Sequence, residues 1–423
     1  MTFRFPIECN ICNFQSVVKV QAGYLEKSFV CIGCPSCGSL FKGELLQIPP
    51  NVKIDFDNAK HINLEEIPID TPIIPISTEL PIPKISKQII GGASGITLNP
   101  YIALGESMDY ETISIFKNKY LAFAEYRSEK EAILENIISL FQANKWELVI
   151  SESKKHFAPS LPELNKTFSI SIESCFFIIS EIFKLFILNV IPKSYENSYT
   201  IRLLFRDTIN RVQKDKTSLA HLKKSLGDFY NIEKEFIIAC KILITFIKNS
   251  ISFVPVIALS YIGFNETFND SYGITTFSFD ELKDNYKDSF ELIARSSILY
   301  IGFSNYYKNR DENNFKSVSS CNSLNEYYKL NNGNKRMVIE QYPYLKKYFR
   351  FLLDNQLRNA IGHTKTEFFT YEQLIKYYPY TALNKKDKFK EKTLVDFAYH
   401  TFLLNLSVLD LVSFIGKWHK RII

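Results

Sequence analysis

Five of the eight cysteines fall within the first 37 residues, as Cys9-Asn-Ile-Cys12 and then Cys31-Ile-Gly-Cys34-Pro-Ser-Cys37-Gly38. No other feature of the chain constrains its folding so tightly. A Cys-x-x-Cys turn brings two sulfurs to one point, and two such turns meet the tetrahedral four-thiolate preference of zinc. Residues 1–14 reach the first cysteines before any apolar run of the kind a secretory signal needs, so the expected location is cytoplasmic and the thiols are expected to be reduced. Cys9 and Cys12 make the first pair. The second is open to two readings, because Cys31/Cys34 and Cys34/Cys37 share the spacing. Cys34-Pro-Ser-Cys37-Gly38 has the form of the second knuckle of a zinc ribbon, so the preferred ligands of one structural zinc are Cys9, Cys12, Cys34 and Cys37. Strand-like runs at Phe14–Val20, Ser28–Cys31 and Leu40–Ile48 complete a small β ribbon over residues 1–48. So short a segment buries little apolar surface, and the metal is expected to supply its folding energy. Cys175, Cys240 and Cys321 stand singly and read as ordinary thiols.

Ten of the 16 prolines lie in the first 100 residues. Ile67-Pro68, Ile74-Pro75 and Ile82-Pro83 repeat through a stretch where no continuous helix can form. Residues 49–103 are expected to be an extended linker, with enough isoleucine to lie against a folded body. Residues 104–264 change to apolar positions at helical spacing and read as a helical scaffold, with Asp109 placed to cap the first helix. In residues 265–423 a loop leads to a long helix, Asp280–Tyr307. A polar stretch, Lys308–Lys335, follows, then a helix, Pro343–Ile361, with proline in its first turn. An aromatic-rich segment, Glu367–Tyr380, precedes a last helix, Val395–Trp418. The expected fold class is mainly α: a helical middle region and a C-terminal helical bundle behind the small β ribbon. The apolar stretch Asn249–Phe264 holds Pro255 and is shorter than the roughly 20 residues a spanning helix takes, so no membrane partner is expected. The chain has neither a GxxxxGK[ST] loop nor an HExxH helix, which sets aside the commonest nucleotidase and zinc-protease readings.

At the end of the Pro343–Ile361 helix the chain reads Leu357-Arg358-Asn359-Ala360-Ile361-Gly362-His363. Positions five apart on a helix diverge by about 140°. Gly362 offers a stop that frees His363 to swing off the axis while the long Arg358 side chain reaches toward the same point. This Arg-x4-His string resembles the signature of the HEPN superfamily, over about Asp280 to the C-terminus. The resemblance implies a four-helix bundle and a metal-independent endoribonuclease, in which two copies of the motif line one cleft, so a homodimer is expected. It implies that His363 deprotonates a ribose 2′-hydroxyl or protonates the leaving 5′-oxygen, that Arg358 stabilises the phosphorane, and that Asn359 orients the phosphate or the imidazole. These residue types suit those tasks: imidazole titrates near neutrality and guanidinium matches phosphate oxygens. Asp354, one turn before Arg358, is placed either to orient it or to make a solvated pair.

Family members of this composite size often serve as toxins in abortive infection, an antiviral defence that cuts tRNA or other cellular RNA when phage is sensed. A phage-derived trigger or a neutralising partner is therefore expected. The net charge of +6 permits an anionic partner without demanding one. Basic groups that could hold RNA are Lys346-Lys347 with Arg350, Lys385-Lys386 with Lys388, Lys390 and Lys392, and Lys417 with His419, Lys420 and Arg421. The alternative from another class is a non-catalytic adaptor whose degenerate HEPN bundle binds nucleic acid or protein without cutting it.

Overall fold

In a computed structural model of the chain, the described residues are 2–48, 51–63, 65, 67–68, 70–83, 108–192, 216–227, 229–261, 272–315, 321–379 and 389–419. Part of the expected linker, residues 84–103, lies outside them. So do residues 200–215 of the helical region, much of the loop expected after residue 264, and Lys385, Lys386, Lys388, Lys420 and Arg421 of the basic groups.

The N-terminal part is built on strands. β1 (Thr2–Cys9) and β2 (Gln15–Gln21) pair antiparallel, β6 (Ala59–His61) adds beside β1, and β7 (Ile73–Ile76) runs parallel to β2. A second antiparallel sheet has the order β3 (Lys27–Gly33), β4 (Leu40–Ile48), β5 (Asn51–Phe56). Alternating residues of these strands, among them Val18, Val20, Val30, Ile32, Leu45, Ile54 and Ile74, form one buried cluster with Cys9 and Cys34. β8 (Ile82–Pro83) pairs with β9 (Tyr272–Gly273). The stretch expected to be linker thus supplies β5, β6, β7 and β8. Its prolines are compatible with strands because Pro75 lies in β7, an edge strand, where a missing N–H breaks no ladder. Ile54, Ile74 and Ile76 from this stretch enlarge the core around the cysteines. This apolar core therefore supplies folding energy of its own there.

The helices are α1 (Tyr110–Gln142), α2 (Trp146–Phe157), α3 (Ile172–Leu188), α4 (Lys216–Leu226), α5 (Ile232–Lys248), α6 (Val254–Tyr261), α7 (Phe279–Asn309), α8 (Leu324–Lys329), α9 (Asn332–Ile339), α10 (Pro343–Leu352), α11 (Asn355–Gly362) and α12 (Leu394–His419). Asp109 caps α1, its Oδ1 accepting from the Thr112 N–H at 2.7 Å. Between α11 and α12 the chain forms a third antiparallel sheet of β10 (Thr366–Phe369), β11 (Leu374–Tyr377) and β12 (Lys390–Thr393). One described helix, Leu394–Lys417, is long and apolar enough to cross a membrane, and its apolar window is 94% buried, as in a core helix.

With one four-stranded, two three-stranded and one two-stranded sheet among the described residues, the fold is mixed α/β. The mainly α expectation, a helical bundle behind a small β ribbon, is corrected. The chain divides into two compact units. The first comprises Met1–Ala124, Asn249–Asp284 and Asn359–Phe402; the second comprises Glu125–Lys248, Asn285–Arg358 and Leu403–Ile423.

Candidate functional site

In the first unit, the sulfurs of Cys9, Cys12, Cys34 and Cys37 all lie within 4.8 Å of one another. Cys9 and Cys37 sulfurs are 3.8 Å apart and those of Cys12 and Cys34 3.7 Å, with no disulfide among them. A tetrahedron with metal–sulfur bonds of about 2.3 Å has edges of about 3.8 Å, so these four thiols fit one metal ion.

The two knuckles repeat one backbone pattern. The Cys9 N–H donates to the Phe14 carbonyl at 3.0 Å, and the Cys34 N–H donates to that of Ser39 at 2.9 Å. Asn13 donates back to the Cys9 carbonyl at 2.9 Å, and Gly38 to that of Cys34 at 3.0 Å. Asn13 (φ 57°) and Gly38 (φ 73°) both occupy the left-handed region. Asparagine and glycine are the residues that adopt it most readily. The clustered sulfurs are those of Cys34 and Cys37, not Cys31, and the backbone gives a reason. A Cys31/Cys34 knuckle would place Pro35 where left-handed backbone is needed, which its ring forbids. Cys31 instead lies in β3 opposite Lys42, its N–H donating to the Thr275 carbonyl at 2.8 Å. Gly38 marks the second knuckle in the sequence; Asn13, its counterpart after the first pair, is the signal that went unread.

The thiol environments differ. Burial pushes Cys34 up to about 12, whereas the Ser39 hydroxyl, 2.9 Å from the Cys37 sulfur, helps lower that exposed thiol to about 6. Burial also raises Cys31 to about 12. Cys175, Cys240 and Cys321 are buried singly.

The second knuckle is seated on the turn between β10 and β11, within the same unit. The Thr370 hydroxyl donates to the Gly38 carbonyl. A Cβ on Gly33 would come within 2.6 Å of the Tyr371 nitrogen and 2.7 Å of the Thr370 carbonyl carbon. The Gln373 side chain accepts from the Ile274 N–H at 2.9 Å and donates to the Ile274 carbonyl at 2.6 Å. At the other end of the hairpin, the Tyr378 N–H donates to the Lys365 carbonyl at 3.2 Å.

Lys365 closes the turn that carries His363. Its N–H donates to the Ala360 carbonyl at 2.8 Å, and the Thr364 N–H donates to that of Ile361 at 3.3 Å, a Schellman arrangement. The left-handed residue is Thr364 (φ 53°), so the stop comes two residues later than Gly362 suggested. A β-branched residue holds that conformation only under strain. His363 follows the last helical residue and is exposed; Asn359 is half-buried on α11.

Arg358 belongs to the second unit. The helix expected over Pro343–Ile361 is two helices, broken at Leu353 and Asp354. Asp354 is the cap of α11, its Oδ1 accepting from Gln356 and Leu357 N–H groups at 3.0 and 3.1 Å. A carboxylate that does pair with Arg358 is Glu291 on α7, which also accepts from the Asn332 amide at 3.1 and 3.3 Å. The sequence gives no hint of this partner, since it is remote along the chain.

Among the other histidines, His221 places Nδ1 2.9 and 3.1 Å from the oxygens of the buried Glu312 carboxylate, and His400 is buried. Of the basic groups, Lys346 and Arg350 are exposed on α10, while Lys392 pairs with Asp396 at 2.6 Å. No family model matches the chain, and comparison with curated proteins and with solved structures also finds no match.

Proposed function

We propose that the chain is an endoribonuclease of the HEPN kind, cutting cellular RNA by 2′-hydroxyl attack without a catalytic metal. The observation that carries the reading is the setting of the Arg-x4-His string. Arg358 is held by a carboxylate, and His363 stands exposed in the turn that closes α11. The 2′-oxygen bonds to phosphorus as its proton passes to imidazole, and the bond to the 5′-oxygen breaks as that oxygen takes a proton. Arg358 offsets the charge gathering on the phosphorane, and Asn359 orients the phosphate. Two imidazoles allow one to accept and the other to donate, so the working form is a homodimer. The role that follows is a toxin of abortive infection, an antiviral defence governed by a phage-derived trigger or a neutralising partner.

The four cysteines hold one zinc, which supplies a structural cross-link and no step of the reaction. Its knuckle braces the hairpin that leads from the His363 turn.

Expression of the intact chain in a bacterial host tests the reading. Cellular RNA should be fragmented and growth arrested by the parent, and neither should occur with His363→Ala. Arrest that persists with His363→Ala, or intact RNA in arrested cells, would instead favour a non-catalytic adaptor.

A further inference from the structure

Among the described residues, the second unit contains a cluster in which positive side chains outnumber the carboxylates they meet. Glu235 is bound by Arg295 through two hydrogen bonds, Nε to Oε1 at 3.2 Å and Nη2 to Oε2 at 3.1 Å. Glu291 is engaged by Arg358 and by the Asn332 amide. Lys335 on α9 is the third cation, and only 5% of its surface is exposed. Among the described residues, its ammonium makes no hydrogen bond or ion pair; its one close neighbour of note is the face of the Tyr328 ring, 5.5 Å away. Burial and then repulsion from Arg295 push Lys335 below the ordinary lysine range, while Glu291 and Glu235 pull it back only in part. Three cations thus face two carboxylates that guanidinium and amide groups already occupy. A lysine so enclosed, with no counter-charge in contact, is costly, and in proteins such a charge is normally paired. The cluster is partly accessible to solvent: the side chains of Arg295, Arg358 and Glu291 keep 31%, 26% and 25% of their surface exposed.

We propose that Lys335, with Arg295 beside it, is an anion-binding subsite that takes a backbone phosphate of single-stranded RNA next to the one held by Arg358. The inference rests on the endoribonuclease reading for the identity of the anion. The surplus charge favours an anion, and the Tyr328 ring adds a stacking surface beside it.

The test uses full-length His363→Ala protein and a fluorescent 12-nucleotide RNA, with anisotropy followed across a potassium chloride series. Adding Lys335→Met should weaken binding about tenfold or more and flatten the log–log salt slope by about 0.7. The same change should raise the thermal midpoint, because it removes an unbalanced buried charge. Lys335→Arg should retain most of the slope. A lysine serving only the fold predicts the reverse: a lowered midpoint with unchanged RNA affinity, which overturns the proposal. The underlying reading has its own readout, His363-dependent cleavage by the parent chain. If cleavage holds and RNA binding ignores Lys335, this inference alone fails. If cleavage is absent but binding falls with Lys335→Met, the subsite stands without a nuclease. RNA that does not bind at all overturns the subsite.

Discussion

Gly33→Ala separates metal binding from the bracing of the hairpin. Gly33 ends β3, next to Cys34 but not itself a ligand. The added methyl would meet backbone atoms at 2.6 and 2.7 Å, the Tyr371 nitrogen and the Thr370 carbonyl carbon. Ordinary contact is roughly 3.5 Å, so the β10–β11 turn must retreat by about an ångström, and no rotamer relieves the clash. Overpacking of this kind costs about 1–3 kcal/mol. Retreat also stretches the Thr370–Gly38 hydrogen bond, worth about 0.5–1.5 kcal/mol. The expected loss is about 2–4 kcal/mol, read by urea unfolding, with one metal still bound per chain. Native-state hydrogen exchange should show faster exchange at the β10–β11 amides, including Tyr378, whose N–H bonds Lys365. Gly227→Ala is the control: its methyl would meet only carbonyl oxygens at 3.5 Å, and the change should stay within about 0.5 kcal/mol. Unchanged stability and protection in Gly33→Ala would refute the idea that the knuckle is seated on this turn.

Three further outcomes are expected. Cys37→Ser should abolish stoichiometric zinc in the purified protein while Cys31→Ser retains it, read by elemental analysis; the reverse would contradict the knuckle geometry. Thr364→Gly should stabilise the chain by about 0.5–1 kcal/mol in urea unfolding, since relief of about 1–2 kcal/mol of left-handed strain exceeds the extra backbone entropy of glycine. Asp109 has its carboxyl lowered from the ordinary 3.8 by the Thr112 backbone N–H and then its hydroxyl. Asp109→Ala should therefore destabilise the chain at neutral pH, and the gap should close as pH falls below that value through the lowered one.

The cysteines and the cap of α1 were legible because each depends on neighbours a few residues away: Cys9 with Cys12, Cys34 with Cys37, Asp109 with Thr112. The strands of residues 51–83 were not, because proline marks a helix breaker without telling a tether from an edge strand. Pro75 is silent about the parallel partner, β2, that makes it part of a sheet. The sheet after α11 was hidden in the same way, since Phe368, Ile375 and Tyr377 occupy strands too short to show periodicity alone. At the motif, the order of residues put His363 at a helix end, yet Asp354 was weighed for an ion pair that Glu291 makes. A carboxylate one turn away looks the same in sequence whether it caps a helix or pairs with an arginine. Only the break at Leu353 decides, and no glycine or proline announces it.

The central claim is the reaction assigned to Arg358 and His363. It is tested by incubating the purified chain with a short defined RNA in the presence of chelator for a brief interval, then reading the new ends by mass spectrometry. The account predicts 2′,3′-cyclic phosphate and 5′-hydroxyl ends, no cleavage where the scissile 2′-hydroxyl is replaced by hydrogen, and a loss of roughly 10²–10⁴ in rate with His363→Ala. Ends bearing 3′-hydroxyl and 5′-phosphate, or cutting that proceeds unchanged without His363, would contradict it.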